Sequence, residues 1–398
     1  MTTRSIVRAV ALAAVAALSA TPLAACDGSP ELPATSDADA AAATDAASTA
    51  TDAASTATDA TDATFASDAA TSDDTSSPKP PARCELAPDA VVALPRDDAR
   101  HAAAGEWYYW TGHLQTADGA WLGFQLTVLL AGPPGSAVAV THASITDVAR
   151  DDYHHAAGFG LDDQSPERGF GFTVGDVVAT GGDGHDHLVI PIGDDDDDGA
   201  RLELDLVDHR GAVARHGTGF KDYGAGISTY YYSRPRMTAT GTLTRGGVRE
   251  PVTGRAWFDH QWGSLASATA SHWDWLGVQL DDGSELMVTA FPLPGGERFA
   301  TAELTDRDCK TALLEGDGVT LTPRRDWTNP ETLCTYPSGW DVQVGDLHLG
   351  LEPATLDQEM RADPIDYWEG AATVDGDATG RAYVELVGYC ALPGLSGP

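Results

Sequence analysis

Short apolar–polar alternations separated by closely spaced turns constrain the fold of this chain more than any other feature. Alternating or β-rich segments occur at residues 121–128, 202–206 and 382–386. Asp-Gly and Gly-Gly turn signals recur between such segments, and we find no convincing helix of three turns. Because many short strands with regular turns are typical of sandwiches and barrels, the sequence predicts an all-β fold of antiparallel sheets.

The N-terminal region predicts export and lipid anchoring. Arg4 and Arg8 accompany an apolar run at residues 9–20, which is too short to span a bilayer and has the length of a secretory signal. The Leu-Ala-Ala-Cys sequence ending at Cys26 resembles a lipobox, which predicts a lipoprotein signal peptide over residues 1–25 and lipidation of Cys26. The alternative is an ordinary signal peptide with a stray cysteine. The chain is therefore expected to be exported and held on a bacterial membrane, facing the periplasm or the cell exterior.

Residues 26–83 predict a disordered tether. The segment is rich in Ala, Thr, Ser and Asp and contains a direct repeat, residues 44–50 recurring at 51–57. With a single aromatic residue, Phe65, it cannot bury enough apolar surface to offset the loss of chain entropy.

The net charge of −36 at pH 7 restricts the possible partners. So acidic a chain argues against nucleic acid and against anionic lipid headgroups as ligands. Contact with a membrane is therefore expected only through the lipid anchor. Five aspartates at residues 194–198 fit the start of a calcium loop, but a solvated hairpin loop is the favoured interpretation.

Four cysteines other than Cys26 predict two disulfides in an exported chain: Cys84, Cys309, Cys334 and Cys390. Three connectivities are possible, and we favour a local Cys309–Cys334 bond with Cys84–Cys390 joining the ends of the folded part. No C-x-x-C spacing occurs, so no zinc site is predicted.

The folded part is predicted to contain two related domains, residues 84–265 and residues 266–398. An aromatic segment, a strand, a turn with Asp-Gly and another strand occur near residue 106 and again near residue 273. Two β-barrels in tandem are the simplest explanation of this weak internal repeat.

The segment 257–263 (Trp-Phe-Asp-His-Gln-Trp-Gly), followed by Trp-Asp-Trp at 273–275, places aromatic rings beside groups that transfer protons. Apolar walls with a few aimed polar groups are typical of small-molecule pockets. A buried aromatic core whose polar atoms satisfy one another is the alternative.

Six motifs in order resemble the AttH/CrtC-type lipocalin-like family, which includes carotenoid 1,2-hydratase. They lie at residues 106–114, 230–236, 257–263, 273–275, 336–340 and 367–371. The resemblance covers about residues 104–391. It implies two tandem lipocalin-like (calycin) antiparallel β-barrels, a large apolar cavity, and a hydrophobic small molecule or lipid as the ligand.

The resemblance also implies a site. Hydratases of the family use neither metal nor organic cofactor, and an acid protonates an isolated double bond to a cation that aromatic rings stabilise. His260 would position water or shuttle a proton, Trp262 would face the cation, and Asp259 or Asp274 would be the acid. The walls of the pocket would be formed by Trp107, Tyr109, His113, Trp257, Trp273 and Trp275.

One departure from the family pattern bears on activity. Family hydratases carry a Tyr-x-Asp pair on the strand after the His-x-Trp motif, and the corresponding residues 285–289 contain none. We therefore favour a ligand-binding protein. The alternatives are a hydratase-like lyase and a structural or attachment lipoprotein. His142, in a β-stretch at residues 138–145, is expected to be a core residue.

Overall fold

The computed structural model describes residues 81–162, 166, 168–193, 199–224, 227–264, 272–292, 298–362 and 365–390. The predicted signal peptide, Cys26, the tether up to residue 80, the junction at residue 266 and the acidic run 194–198 lie outside these residues. Within the described ranges there is no helix of the length and apolarity needed to cross a membrane.

The first half of the described chain forms one antiparallel sheet of twelve strands, in the order β4-β3-β2-β1-β12-β11-β8-β7-β6-β5, with β9 and β10 paired to β11. The sheet curls so that β4 approaches β5. A 3-10 turn at Arg96–Asp98 precedes it. The strands are β1 (Gly105–Thr116), β2 (Trp121–Ala131), β3 (Ala137–Asp147), β4 (Asp152–Asp162), β5 (Phe170–Val174), β6 (Val177–Gly182), β7 (His185–Ile192), β8 (Ala200–Asp208), β9 (Val213–Ala214), β10 (Phe220–Gly224), β11 (Ile227–Arg245) and β12 (Val248–Gly263).

The second half forms a ten-stranded antiparallel sheet among the described residues, in the order β16-β15-β14-β13-β22-β21-β19-β18-β17, with β20 paired to β21. It curls so that β15 approaches β17, and a 3-10 turn at Gly316–Gly318 precedes β17. The strands are β13 (Trp273–Leu280), β14 (Glu285–Pro292), β15 (Arg298–Thr305), β16 (Thr311–Glu315), β17 (Val319–Thr328), β18 (Thr335–Val344), β19 (Leu347–Pro353), β20 (Glu359–Ala362), β21 (Ile365–Gly376) and β22 (Gly380–Val387). The predicted all-β fold with two curled antiparallel sheets is confirmed.

Each curled sheet encloses an apolar core, and a third cluster lies between the two sheets. Trp110, Phe124 and Leu126 belong to the first core, and Trp340 and Leu351 to the second. The third cluster forms where β1, β2, β11 and β12 face β13, β14, β21 and β22; we call it the interface layer, and its apolar members are Tyr109, Tyr231, Trp257, Trp275, Met287, Ala371 and Tyr383.

The two sheets approach closely at the interface layer. A Cβ atom added to Gly123 of β2 would lie 2.7 Å from Cβ of Ala371 on β21, so no side chain fits there. On another side, Arg210 Nη2 donates to Glu285 Oε2 over 3.1 Å, and Arg236 also pairs with Glu285. These contacts fix the docking of one sheet against the other.

The favoured disulfide pairing was wrong. Cys84 bonds Cys309, and Cys334 bonds Cys390. The segment before the first sheet runs alongside the β15–β16 turn, where Ala82 N–H donates to the Arg307 carbonyl over 2.9 Å. Docking of the two sheets therefore brings Cys84 to Cys309, a contact that closeness along the chain does not reveal. All four predicted cysteines do form disulfides.

Candidate functional site

Strand alternation separates the residues of the Asp-His-x-Trp motif. On β12, Asp259 and His260 are neighbours, so their side chains point to opposite faces of the sheet. His260 and Trp262 point into the first core, whereas Trp257 and Asp259 point into the interface layer. The predicted grouping of Asp259, His260 and Trp262 in one catalytic site is therefore wrong.

His260 belongs to a buried polar group inside the first sheet. Its Nε2 lies 2.8 Å from Glu106 Oε1, and Glu106 also pairs with Arg100 and His101. Burial raises the pKa of Glu106, but the hydrogen bonds from His101 and His260 and the charges of His260 and Arg100 outweigh burial and hold the pKa well below its usual range. Trp262 stacks on the His101 ring, with centroids 3.9 Å apart.

Asp274 lies in neither of these places. It points into the second sheet, where it pairs with Arg298 and accepts a 2.7 Å hydrogen bond from Tyr389. Its neighbours Trp273 and Trp275 point to the other face, toward the interface layer. The four predicted catalytic residues are thus distributed over three sites, and Asp274 is an ion-pair partner within the second sheet.

The interface layer brings together four of the six predicted wall residues: Tyr109, Trp257, Trp273 and Trp275. The Trp257 and Trp275 rings meet edge to face at 5.7 Å, and Tyr109 meets Trp275 in the same way at 5.3 Å. His113 shares this face of β1 and lies near Tyr383; burial lowers its pKa to about 3, so it is neutral. Trp107 is half-buried on the same face of β1.

Asp259 orients aromatic side chains in this layer. It accepts hydrogen bonds from Tyr231 over 2.6 Å, from Trp257 Nε1 over 2.7 Å, and from Ser233. Burial raises its pKa, and the charge of Arg215 together with these three donors lowers it again. With both oxygens engaged, Asp259 is better suited to hold Tyr231 and Trp257 than to give a proton to a ligand.

Glu369 on β21 has the features of a proton donor. It is fully buried, and Tyr109 donates to its Oε1 over 2.5 Å. Its Oε2 has no hydrogen-bond partner among the described residues. Burial, reinforced by the nearby Glu385, raises the pKa of Glu369 well above its usual range. Burial therefore favours the protonated form of Glu369, and one of its oxygens is free to engage a ligand.

Glu385 on β22 stands directly opposite Glu369 in the β21–β22 register. Burial raises its pKa to about 7. A hydrogen bond from Trp273 opposes this rise, and the charge of Asp259 adds to it. A protonated carboxyl beside one that titrates near neutrality is an arrangement found at acid–base sites.

His142 extends this polar set across the layer. Its Nδ1 lies 2.9 Å from the Tyr367 hydroxyl, and its Nε2 has no partner among the described residues. Burial lowers the pKa of His142 to about 4, so the ring is neutral. The sequence predicts His142 to be a core residue; it lies on the face of β3 that packs against the second sheet.

Sequence reasoning missed the acids of this layer. Tyr367 and Glu369 alternate on β21, and Tyr383 and Glu385 alternate on β22, so each pair presents both side chains to the same face. The signal was available, since a Tyr-x-Glu spacing occurs in both segments. It supplies a phenol and a carboxyl like the Tyr-x-Asp pair that is missing from β14.

The model of the AttH-like family matches residues 85–389. The chain is a member of the AttH-like family. The crystal structure of a protein described as AttH from Nitrosomonas europaea superposes with a TM-score of 0.68 at 29% identity, covering 77% of this chain and 99% of that one. Kievitone hydratase from Nectria haematococca superposes with a TM-score of 0.64 at 18% identity, covering 78% of this chain and 97% of that one. None of the curated proteins compared with the chain matches it.

These comparisons confirm the predicted family and the tandem lipocalin-like barrels. At 18% identity, the likeness to kievitone hydratase shows the fold alone. The chemistry of this member of the AttH-like family must therefore be argued from its own interface layer.

The raised pKa of Glu385 predicts how stability depends on pH. The folded state raises this pKa from 4.5 to about 7, so it holds the proton more tightly than the unfolded chain does. The contribution of Glu385 to stability is then complete below pH 4.5 and is lost as the pH rises to about 7. Between these values, the unfolding free energy of the wild type should fall relative to that of Glu385→Gln, measured by denaturant titration. Parallel profiles for the two proteins would contradict this, and the exposed Glu85→Gln provides the control.

Proposed function

We propose that this AttH-like protein binds an apolar, unsaturated small molecule in the interface layer. Indole and phenol rings from both sheets supply the apolar walls, among which a few carboxyl and imidazole groups are placed. Membership of the AttH-like family and the lipocalin-like fold support a hydrophobic ligand. The candidate ligands are lipids, polyenes and terpenoids.

We further propose that the bound molecule is hydrated at a carbon–carbon double bond. The observation that carries this proposal is the free Oε2 of the fully buried Glu369, whose pKa burial raises well above its usual range. Leaving a buried polar atom unpaired costs about 1–3 kcal/mol, which contact with a bound molecule would offset. An unpaired acid facing aromatic rings is what protonation of an alkene requires.

In the proposed reaction, Glu369 gives its proton to one alkene carbon, and the other carbon becomes cationic. Aromatic faces stabilise a cation by about 2 kcal/mol when it is desolvated. Arg215 lies over the Trp257 ring at 5.0 Å, so Trp275 and Tyr109 are the better placed rings. The carboxylate left on Glu369 stabilises the neighbouring positive charge further.

Water then forms a bond to the cationic carbon and must lose one proton. Glu385, whose pKa is about 7, is an acceptor opposite Glu369, and passage of the proton between the two carboxyls restores the acid. The balance is one alkene and one water consumed for one alcohol formed. No residue is oxidised or reduced.

The variant Glu369→Gln tests the acid, because it keeps the shape of the side chain and removes the transferable proton. Incubation with acyclic isoprenoid polyenes in heavy-oxygen water, followed by mass spectrometry, should give labelled alcohol with the wild type. The variant should lose at least about 100-fold in rate, the usual contribution of a general acid, while ligand still binds. The partly exposed Glu352→Gln, on β19 of the same sheet, is the matched control. Turnover by Glu369→Gln at the wild-type rate would exclude Glu369 as the acid.

We infer that the protein acts outside the cytoplasm, tethered to a membrane through lipid on Cys26. The lipobox and the apolar run before it support this inference, as do the disulfides. Radiolabelled palmitate should therefore be incorporated by the wild type and not by Cys26→Ser, which should leave the membrane fraction. Equal labelling of the two proteins would contradict lipidation at Cys26.

A further inference from the structure

A second polar group, separate from the interface layer, lies inside the first sheet. We propose that His101, Glu106 and His260 bind a divalent transition-metal ion of the zinc type. The ligand atoms are His101 Nδ1, Glu106 Oε1 and His260 Nε2, which all lie within 4.8 Å of one another. The family resemblance implied no metal, and none of the three residues has a role in the proposed hydration.

The distances suit a shared cation. Glu106 Oε1 lies 2.9 Å from His101 Nδ1 and 2.8 Å from His260 Nε2, so one oxygen faces two imidazole nitrogens. Zinc binds nitrogen and oxygen ligands at about 2.0–2.2 Å, which places neighbouring ligand atoms about 3 Å apart. A small outward movement of the three side chains would therefore admit the ion.

The hydrogen bonds around His260 allow its Nε2 to turn from Glu106 to an ion. Tyr232 donates its hydroxyl proton to Asp98 over 2.6 Å, so its oxygen is an acceptor toward His260 Nδ1 at 3.4 Å. Without an ion, Nε2 lies 2.8 Å from Glu106 Oε1 and is hydrogen-bonded to it. When an ion binds, a neutral imidazole that carries its proton on Nδ1, toward the Tyr232 oxygen, presents the Nε2 lone pair to the ion.

Glu106 and His101 are held in place by further charged residues, as is common for the ligands of metal sites. Arg100 pairs with Oε2 of Glu106, whereas Oε1, the proposed ligand atom, also accepts hydrogen bonds from the Tyr108 hydroxyl over 3.3 Å and from the His101 N–H over 3.2 Å, which hold it in place. The positive charge of Arg100 is balanced by Asp162, whose Oδ2 is 3.0 Å from Arg100 Nε. On the far side of the His101 ring, Nε2 is 3.7 Å from Asp97.

The site is accessible from outside. A cavity of about 630 Å³ is lined by His101, Tyr230 and Trp262, among other residues. The His101 side chain is 21% exposed, whereas His260 is fully buried. Two imidazoles and one carboxylate leave a fourth position, where water or a ligand can complete the coordination, and His101 lines the cavity through which either could enter.

Titration with Co²⁺, followed by visible absorption, tests the proposal on the full-length protein. Excess Mg²⁺ and Ca²⁺ should be present, because they occupy acidic oxygen sites and bind imidazole poorly. The wild type should bind one Co²⁺ and show the intense visible absorption of a cobalt ion that has a low coordination number. Replacing a residue that holds a ligand in place weakens metal binding 10- to 100-fold, so loss of a ligand in His101→Ala should weaken it by about 100-fold or more.

His187→Ala is the matched control, since His187 is an exposed histidine of the same sheet that pairs with Asp205. It should bind Co²⁺ as the wild type does. As a second measurement, Zn²⁺ should raise the Tm of the wild type in a concentration-dependent way and should not raise that of His101→Ala. The absence of a tight site in the wild type would overturn the proposal, and so would equal binding by wild type and His101→Ala. In either case, the three residues form only a hydrogen-bonded ion-pair cluster.

Discussion

The pairing of β1 with β12 determines on which side of the first sheet the polar groups of these two strands lie. In this register Tyr109 is opposite Asp259, and Tyr108 is opposite His260. Successive residues of both strands therefore point alternately into the first barrel and toward the second. One pair of strands supplies Glu106 and His260 to the barrel interior, and Tyr109 and Asp259 to the interface layer.

The interface layer is unusual because it buries charge and hydrogen-bonding capacity where apolar packing would suffice. Burying an ionised carboxyl costs several kcal/mol, and Glu369 avoids that cost by keeping its proton. Glu285 instead remains between Arg210 and Arg236 at the edge of the same interface. We attribute the ion pairs to specific docking of the two barrels, and the protonated acid to chemistry on a bound molecule.

Much of the fold followed from alternation and turn spacing, because the period of two along a strand is local. The same alternation separates Asp259 from His260. The sequence prediction grouped these two residues because they are adjacent along the chain, and it did not take the alternation into account. The alternation also places Tyr367 with Glu369, and Tyr383 with Glu385, on single faces. By contrast, the contact of Tyr109 with Glu369 and the bonding of Cys84 to Cys309 depend on how two separate sheets dock. No local pattern in the sequence encodes that docking.

Saturable binding of a fluorescent polyene fatty acid, detected by energy transfer from tryptophan, tests the position of the ligand site most directly. Trp275→Ala removes a wall of the interface layer and should weaken binding about tenfold or more, given the roughly 1.5–3 kcal/mol gained by burying a large apolar side chain. Trp340→Phe, which alters the interior of the second barrel, should leave the affinity unchanged. Loss of binding in Trp340→Phe with normal binding in Trp275→Ala would place the ligand inside a barrel and contradict a site between the two.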